Sequence, residues 1–406
     1  MSGLRGQPAD RLRAGRRRWR ARWVAFHRWL GRVAGAALVV VGLTGSLFVF
    51  YREIGEGLEP ELRRVPARAG GQSAYRSWDE LIGAAEAARP VGSHLGHITG
   101  PAHDAAAARF SFVVPGKTSE EDEARILCVD PYTAKVLGES RLDGHPVWRI
   151  CSFLFDLHYS LKIPVVGGPL VAVLAIIGLG SLVSGIWLWW PGIHGLKSAL
   201  TVRRSAGAVR VDFDVHRVAG IYFAPVLGAV LLSGVWMNLP EPFIAVVKSF
   251  SPGTRAGEAD APRSRTNGWP PLHVANVLAA VRLRYPEGRP NWVSLPEKPE
   301  DVFVVSLTEV PQRSLSCWSE RTVSWDQFGG GMLRVEDVGH RRTAGETFLA
   351  WQWPLHSGKA FAWPGRLLVG AAGFVPMVLY VTGLRVWWVK RRTAARRVSA
   401  AGGTSS

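Results

Sequence analysis

The chain reads as a membrane α-helical protein: a four-helix transmembrane bundle, internally duplicated, with two small α+β domains outside the bilayer. Three observations predict this. Four apolar segments reach the roughly 20 residues that a helix needs to cross a bilayer. Four histidines near the ends of those segments recur at fixed distances from Ser/Thr-Gly pairs. The excess positive charge gathers at the termini and in one short loop.

The 406 residues, 47% of them hydrophobic, divide in order. Residues 1–29 are a basic tail, with nine Lys/Arg and one acid in 1–28. Residues 30–52 are the first span, which opens GRVAGAALVVVGLTGSLFVF at Gly31 and leaves the membrane through FVFYREIGEGLEP. A signal peptide is the poorer reading, because the apolar run is long and no small-residue cleavage site follows it. Residues 53–160 are the first outer domain. In it SWDELIGAAEAARP has the helical spacing of Leu81, Ile82, Ala85 and Ala88. Ala108–Pro115 alternates as a strand, and Ala124–Ser140 reads as strand, Asp-Pro-Tyr-Thr turn and strand.

The second span, 168–190, ends in SGIWLWW, and a loop at 191–217 leads to the third span, 218–240. Residues 241–360 repeat the outer-domain grammar: a helix at His273–Pro286, strands in NWVSLP and DVFVVSLTE, and a strand–turn–strand at Arg321–Asp337. The fourth span, 366–389, ends in TGLRVWW before a basic tail at 390–406, with five Lys/Arg and no acid.

The net charge of +17 follows from this layout. Segment 53–160 holds 16 acids and 11 bases, and 241–365 holds 13 acids and 14 bases, so neither outer domain is basic overall. Positive flanks stay in the cytoplasm. Both termini and the 191–217 loop are therefore expected inside and the two domains outside, with the lipid bilayer as a partner and no nucleic acid. Cys128, Cys151 and Cys317 form no CxxC, which supports neither a disulfide framework nor a zinc site. Ordinary packing is the favoured reading, and a Cys128–Cys151 bridge stays open.

His27 lies 18 residues before Gly45, and His216 lies 18 before Gly234. His158 lies 27 residues before Gly185, and His356 lies 27 before Gly383. The dipeptides are Thr44-Gly45, Ser233-Gly234, Ser184-Gly185 and Thr382-Gly383. Histidine is rare in membrane spans and points to function there. Topology sorts the four into His27 with His216 on the cytoplasmic side and His158 with His356 on the outer side. Two axial imidazoles, one from each of two facing helices, hold a haem in a bundle core. Two such pairs make two haems per chain, a route for electrons across the membrane. Eighteen helical residues rise roughly 27 Å. Gly45 and Gly234 are thus expected near the outer pair, and Gly185 and Gly383 near the inner pair. There each glycine either makes room for the flat macrocycle or lets two helices approach.

Other features are weaker. His94, His97 and His103 cluster in what Gly96, Gly100 and Pro101 suggest is a loop, a minor candidate for a metal site. His145, His194, His273 and His340 read as surface residues. Most of the 18 tryptophans belt the interface. Trp351, Trp353 and Trp363 flank His356 and either line a cleft or anchor the helix. Arg282, Arg284, Arg289, Arg341 and Arg342 could attract an anionic iron chelate.

The motifs FHRWLGRVAG, WDELIGAAEAARP, VDPYTAKVLGE, FDLHYSL, SGIWLWWPG, DVHRVAG and PLHSGKAFAWPGRLL occur in that order over nearly the whole chain beyond the N-terminal tail. Together they resemble the PepSY-associated transmembrane family of bacterial inner-membrane proteins. The resemblance implies PepSY-like periplasmic domains. It also implies a likeness to ferric-siderophore reductases with b-type haem, which act in iron acquisition. Ala134 stands where that family's Asp-Pro-x-Thr-Gly turn has glycine. The expected function is an oxidoreductase that passes electrons from a cytoplasmic-side or quinol donor to a periplasmic ferric siderophore and frees Fe(II). No flavin-type or GxGxxG motif appears. Two alternatives stand beside it: a PepSY-type binding or regulatory protein acting on a periplasmic protease, and a siderophore permease. Pro225 and Pro376 occupy equivalent places in the third and fourth spans, as broken transporter helices would require, but few charges accompany them.

Overall fold

The computed structural model describes residues 8–402 except 117–121, 142–145, 267, 310–319 and 338–342. His145, His340, Cys317, Arg341 and Arg342 lie outside the described residues. Thirteen α-helices are described: α1 Pro8–Phe48, α2 Tyr51–Leu58, α3 Pro60–Arg63, α4 Trp78–Ala87, α5 Pro146–Ser160, α6 Gly167–Trp189, α7 Leu196–Ala199, α8 Ala208–Asn238, α9 Pro240–Phe250, α10 Val274–Arg284, α11 Ala344–Ser357, α12 Ala362–Ala372 and α13 Val375–Gly402.

Among the described residues four stretches are long and apolar enough to cross a membrane: Gly15–Phe48, Gly167–Trp189, Ala208–Asn238 and Lys359–Arg396. The first helix continues back through the basic tail, whose Arg and Ala are strong helix formers. The fourth stretch is not one helix. It breaks between α12 and α13 just before Pro376, which lacks a backbone donor and crowds the preceding turn. Pro225, by contrast, sits inside a continuous α8. At the break Gly42 of α1 and Gly373 pack backbone to backbone, and a Cβ on Gly42 would fall 2.5 Å from the Gly373 carbonyl oxygen. Ser46 Oγ donates to Gly370 O at 2.8 Å across the same crossing.

The strands are β1 His94–Thr99, β2 Ala108–Val114, β3 Glu123–Val129, β4 Val136–Arg141, β5 Arg289–Ser294, β6 Phe303–Thr308, β7 Arg321–Trp325 and β8 Met332–Asp337. Each half of the chain contributes a four-stranded meander. The two join through β1 and β5 into one antiparallel sheet ordered β4-β3-β2-β1-β5-β6-β7-β8. This pairing removes two edges that would otherwise expose unpaired backbone. Helices α4 and α10 cover one face, and both halves feed a single core of Leu81, Ile82, Phe110, Phe112, Val277, Leu278, Val293 and Val305. Ser77 and Glu80 form a capping box at the start of α4, and Thr343 and Glu346 do the same for α11.

Residues 94–99, expected in a loop, form β1. Gly96 sits at its bulge between Leu95 and His97, so the glycine marks an irregular strand and not a loop. The two halves are tied further by Arg289 of β5, which donates to Tyr75 Oη at 2.8 Å and Asp104 Oδ1 at 2.7 Å. Desolvation there pushes the Tyr75 hydroxyl up to about 12. Arg366 of α12 ties the fourth span to α2: its two Nη atoms each donate at 2.7 Å to a carboxylate oxygen of Glu53.

Candidate histidine pairs in the bundle core

The four histidines meet in two pairs. The rings of His27 and His216 stand 6.2 Å apart, centre to centre, at 89°. Those of His158 and His356 are also 6.2 Å apart, at 63°. The second pair lies at the sheet end of the bundle, because its residues end α5 and α11, the helices that follow the two meanders. Each pair takes one histidine from each half of the chain.

What anchors each ring lies within its own half. His27 Nδ1 is 3.1 Å from Ser181 O and 3.0 Å from Ser184 Oγ. His216 Nδ1 is 2.9 Å from Leu379 O and 3.1 Å from Thr382 Oγ. His158 Nδ1 is 2.8 Å from Val41 O and 3.4 Å from Thr44 Oγ. His356 Nδ1 is 2.8 Å from Ser233 Oγ. All four hydroxyls donate to carbonyls of their own helices, so towards the histidine they accept. A carbonyl oxygen also can only accept. Each Nδ1 is therefore the protonated nitrogen, and each Nε2 keeps its lone pair. Metal-binding imidazoles are typically oriented in this way, by a hydrogen bond from the other ring nitrogen.

The glycine of each pair sits beside the same ring. A Cβ would fall 2.6 Å from His158 Cε1 if built on Gly45, 3.2 Å from His27 Cε1 on Gly185, 3.4 Å from His216 Cε1 on Gly383 and 3.9 Å from His356 Cε1 on Gly234. At Gly45 and Gly185 the missing side chain thus makes room for the imidazole, whereas at Gly234 a Cβ would make only an ordinary contact; the sequence suggested room for a macrocycle or a helix. The hydroxyl's part was missed in the sequence, although the strict Ser/Thr before each glycine was its signal.

Two metal–nitrogen bonds of roughly 2 Å each, plus roughly 1 Å from each nitrogen to its ring centre, would set opposed imidazoles roughly 6 Å apart. Both pairs have this separation. Each supplies two ligands, which suits an iron whose remaining positions are filled by a porphyrin. A cavity of about 1530 Å³ reaches all four histidines and all four glycines. That exceeds the roughly 300–1,000 Å³ of one small-molecule site and leaves room for two flat groups. Its walls are mainly apolar, with Leu38, Leu227 and Leu231 among them. Cations stand at both ends, including Arg20, Arg28 and Arg210 near the first pair and Arg52, Arg109 and Arg366 near the second. They suit the carboxylates of a haem.

The remaining candidates scatter. His97 stacks on Trp292 with ring centres 4.0 Å apart, and His103 Nε2 lies 3.1 Å from Glu56 Oε1. Among the described residues no group of three or more His, Cys, Asp or Glu side chains comes together as a metal site. Cys128 and Cys151 are free thiols, and burial pushes the Cys128 thiol up to about 11. Trp353 lines the cavity, whereas Trp363 stacks on Phe50 and covers the Arg366 guanidinium. Arg282 and Arg284 are exposed at the end of α10, and Arg289 is committed to Tyr75 and Asp104.

The family model described as PepSY-associated TM region matches residues 24–390, which takes in all four histidines and the whole sheet. No curated protein matches the chain. With nine-tenths of its length inside that match, this four-span membrane protein belongs to the PepSY-associated TM family.

Proposed function

We propose that this protein carries two b-type haems and passes electrons through the membrane to a ferric siderophore, releasing Fe(II) for iron acquisition. The observation that carries the reading is the pair of opposed imidazoles, 6.2 Å apart, at each end of the core. His27 and His216 would hold one haem and His158 and His356 the other, each through Nε2. Bound in this way, a six-coordinate haem iron supplies one-electron transfer and offers no open position for oxygen.

The chain's own residues do the rest. The Nδ1 bonds to Ser181, Val41, Leu379 and Ser233 hold the rings in one tautomer and one orientation. The glycines let those rings sit against the neighbouring helix. The leucine-rich walls exclude water, and Arg20 and Arg28 at one end and Arg109 at the other, whose guanidiniums have no ion pair among the described residues, are left to balance carboxylates.

The matching halves, each with a span, a helix, a meander, a helix and a span, support an internal duplication whose repeats meet at both histidine pairs. The basic termini and the 191–217 loop favour the cytoplasm. That would place the sheet in the periplasm of a bacterial inner membrane, with electrons supplied by a quinol or a cytoplasmic-side reductant. One electron moved onto an Fe(III) chelate gives Fe(II), which hard oxygen donors hold less tightly. The test is anaerobic: protein reduced with dithionite, freed of excess, and mixed with a ferric hydroxamate in the presence of an Fe(II)-trapping chelator. One trapped Fe(II) per haem reoxidised supports the reading. Haem that stays reduced against hydroxamate, catecholate and carboxylate chelates discards the substrate.

A further inference from the structure

The sheet face opposite α4 and α10 turns towards the bundle, and three of its strand residues reach the cavity: Thr99, Arg109 and Asn291. Thr99 of β1 is the register partner of Arg109 on β2 and of Trp292, the neighbour of Asn291, on β5. Arg109, Thr99 and Trp292 thus form a row across the middle of the sheet with Asn291 next to its end, and Arg109 is its one charge.

Arg109 is half-buried and, among the described residues, its guanidinium has no hydrogen bond and no ion pair within 4.0 Å, with Glu56 acting on it only from farther off. Three acids of this region are engaged elsewhere. Glu53 is held by Arg366, Glu56 by His103 and Glu59 by Arg63. The other cations at this end differ from it. Arg366 has its bidentate carboxylate, and Arg52 lies 3.6 Å from Glu53. A half-buried cation without a direct counter-ion is costly, and a ligand carboxylate would offset the cost.

The position also breaks the symmetry of the sheet. The central pair is Ile98 with Val293. A two-fold turn about that pair exchanges Thr99 with Ser294, and so exchanges their outer partners Arg109 and Val304. One half places a guanidinium at the cavity, where the equivalent residue of the other half is a valine that does not line it. A charge placed on one side only points to a ligand with a preferred orientation.

We infer that Arg109 binds a carboxylate of the group seated between His158 and His356, a haem propionate, and so ties the sheet to that end of the bundle. This rests on the di-haem reading. The guanidinium is then a positioning group for the haem and sets its potential. Without it the propionate charge stands uncompensated near the iron and favours the ferric state.

The test is spectroelectrochemistry of the full-length protein in detergent, as wild type, Arg109→Ala and Arg109→Lys, with haem quantified in each. In Arg109→Ala one haem should lower its midpoint so that its oxidised-to-reduced ratio rises about tenfold at fixed potential, about 59 mV for one electron. The other haem should not move, and Arg109→Lys should recover most of the change. Two haems per chain with both midpoints unmoved in Arg109→Ala overturn the inference and leave the di-haem reading standing. Loss of ferric citrate binding with unmoved midpoints also overturns it, and assigns Arg109 to an external carboxylate. A wild-type protein without haem sinks the parent reading and this inference with it.

Discussion

Gly45 lies so close to the imidazole of His158 that a Cβ there would fall 2.6 Å from Cε1. The same Cβ on Gly234 would sit at 3.9 Å from His356 Cε1, an ordinary contact. Overpacking a tight site costs about 1–3 kcal/mol. Gly45→Ala should therefore push His158 out of register and lower haem content towards one per chain. Gly234→Ala should keep both haems. Pyridine-haemochrome assay of the two purified variants checks the contrast, and equal haem in both contradicts it.

Ser233 Oγ accepts from His356 Nδ1 at 2.8 Å, whereas His158 has its short bond, also 2.8 Å, to Val41 O and only 3.4 Å to Thr44 Oγ. Partners of this kind are worth roughly 10–100-fold in metal affinity. Ser233→Ala should speed haem loss to apomyoglobin by about tenfold or more. Thr44→Ala should change it several-fold less, since the Val41 carbonyl remains.

Much of this arrangement was legible in the sequence because it rests on spacing. Helical rise fixes how far Gly45 stands from His27, so the repeated intervals of 18 and 27 residues located which dipeptide neighbours which end of the core. The strands of each meander were equally legible, since Phe110 and Phe112 alternate with Arg109 and Ser111. The junction of the two meanders was not. It depends on the pairing of Ile98 with Val293, a contact between distant segments that leaves no local pattern. Nor was the break before Pro376 separable from the continuous helix at Pro225, because both prolines lie in similar apolar runs, and the close packing of Gly373 on Gly42 at the break is a contact between distant segments.

Ala134 adopts φ 57° in the turn between β3 and β4, a left-handed conformation that costs a non-glycine residue roughly 1–2 kcal/mol. The family's glycine at this place is thereby explained. Ala134→Gly should stabilise the protein by about 1 kcal/mol, a rise in Tm of roughly 1–3 °C, read by thermal unfolding in detergent. An unchanged or lower Tm contradicts the strain.

His97 stacks on Trp292, and burial, aided by the Arg109 charge, lowers its pKa to about 4 from an ordinary 6.5. The unfolded chain then binds a proton that the folded chain refuses between those values, so stability should fall as pH drops from 6.5 to 4 and level off below. Above 6.5 the contribution is complete. His97→Phe should flatten that part of the stability–pH profile while the rest keeps its shape. A slope unaltered by the substitution contradicts the assignment.

The most direct test of the central claim counts haem in the wild type and in His27→Ala, His216→Ala, His158→Ala and His356→Ala, with absorption spectra before and after dithionite. The expected result is two b-type, low-spin haems per wild-type chain and one in each variant. His158→Ala and His356→Ala should lose the same haem, and His27→Ala and His216→Ala the other. A wild type purified without haem after growth with ample haem supply would contradict the account, as would variants that all keep both.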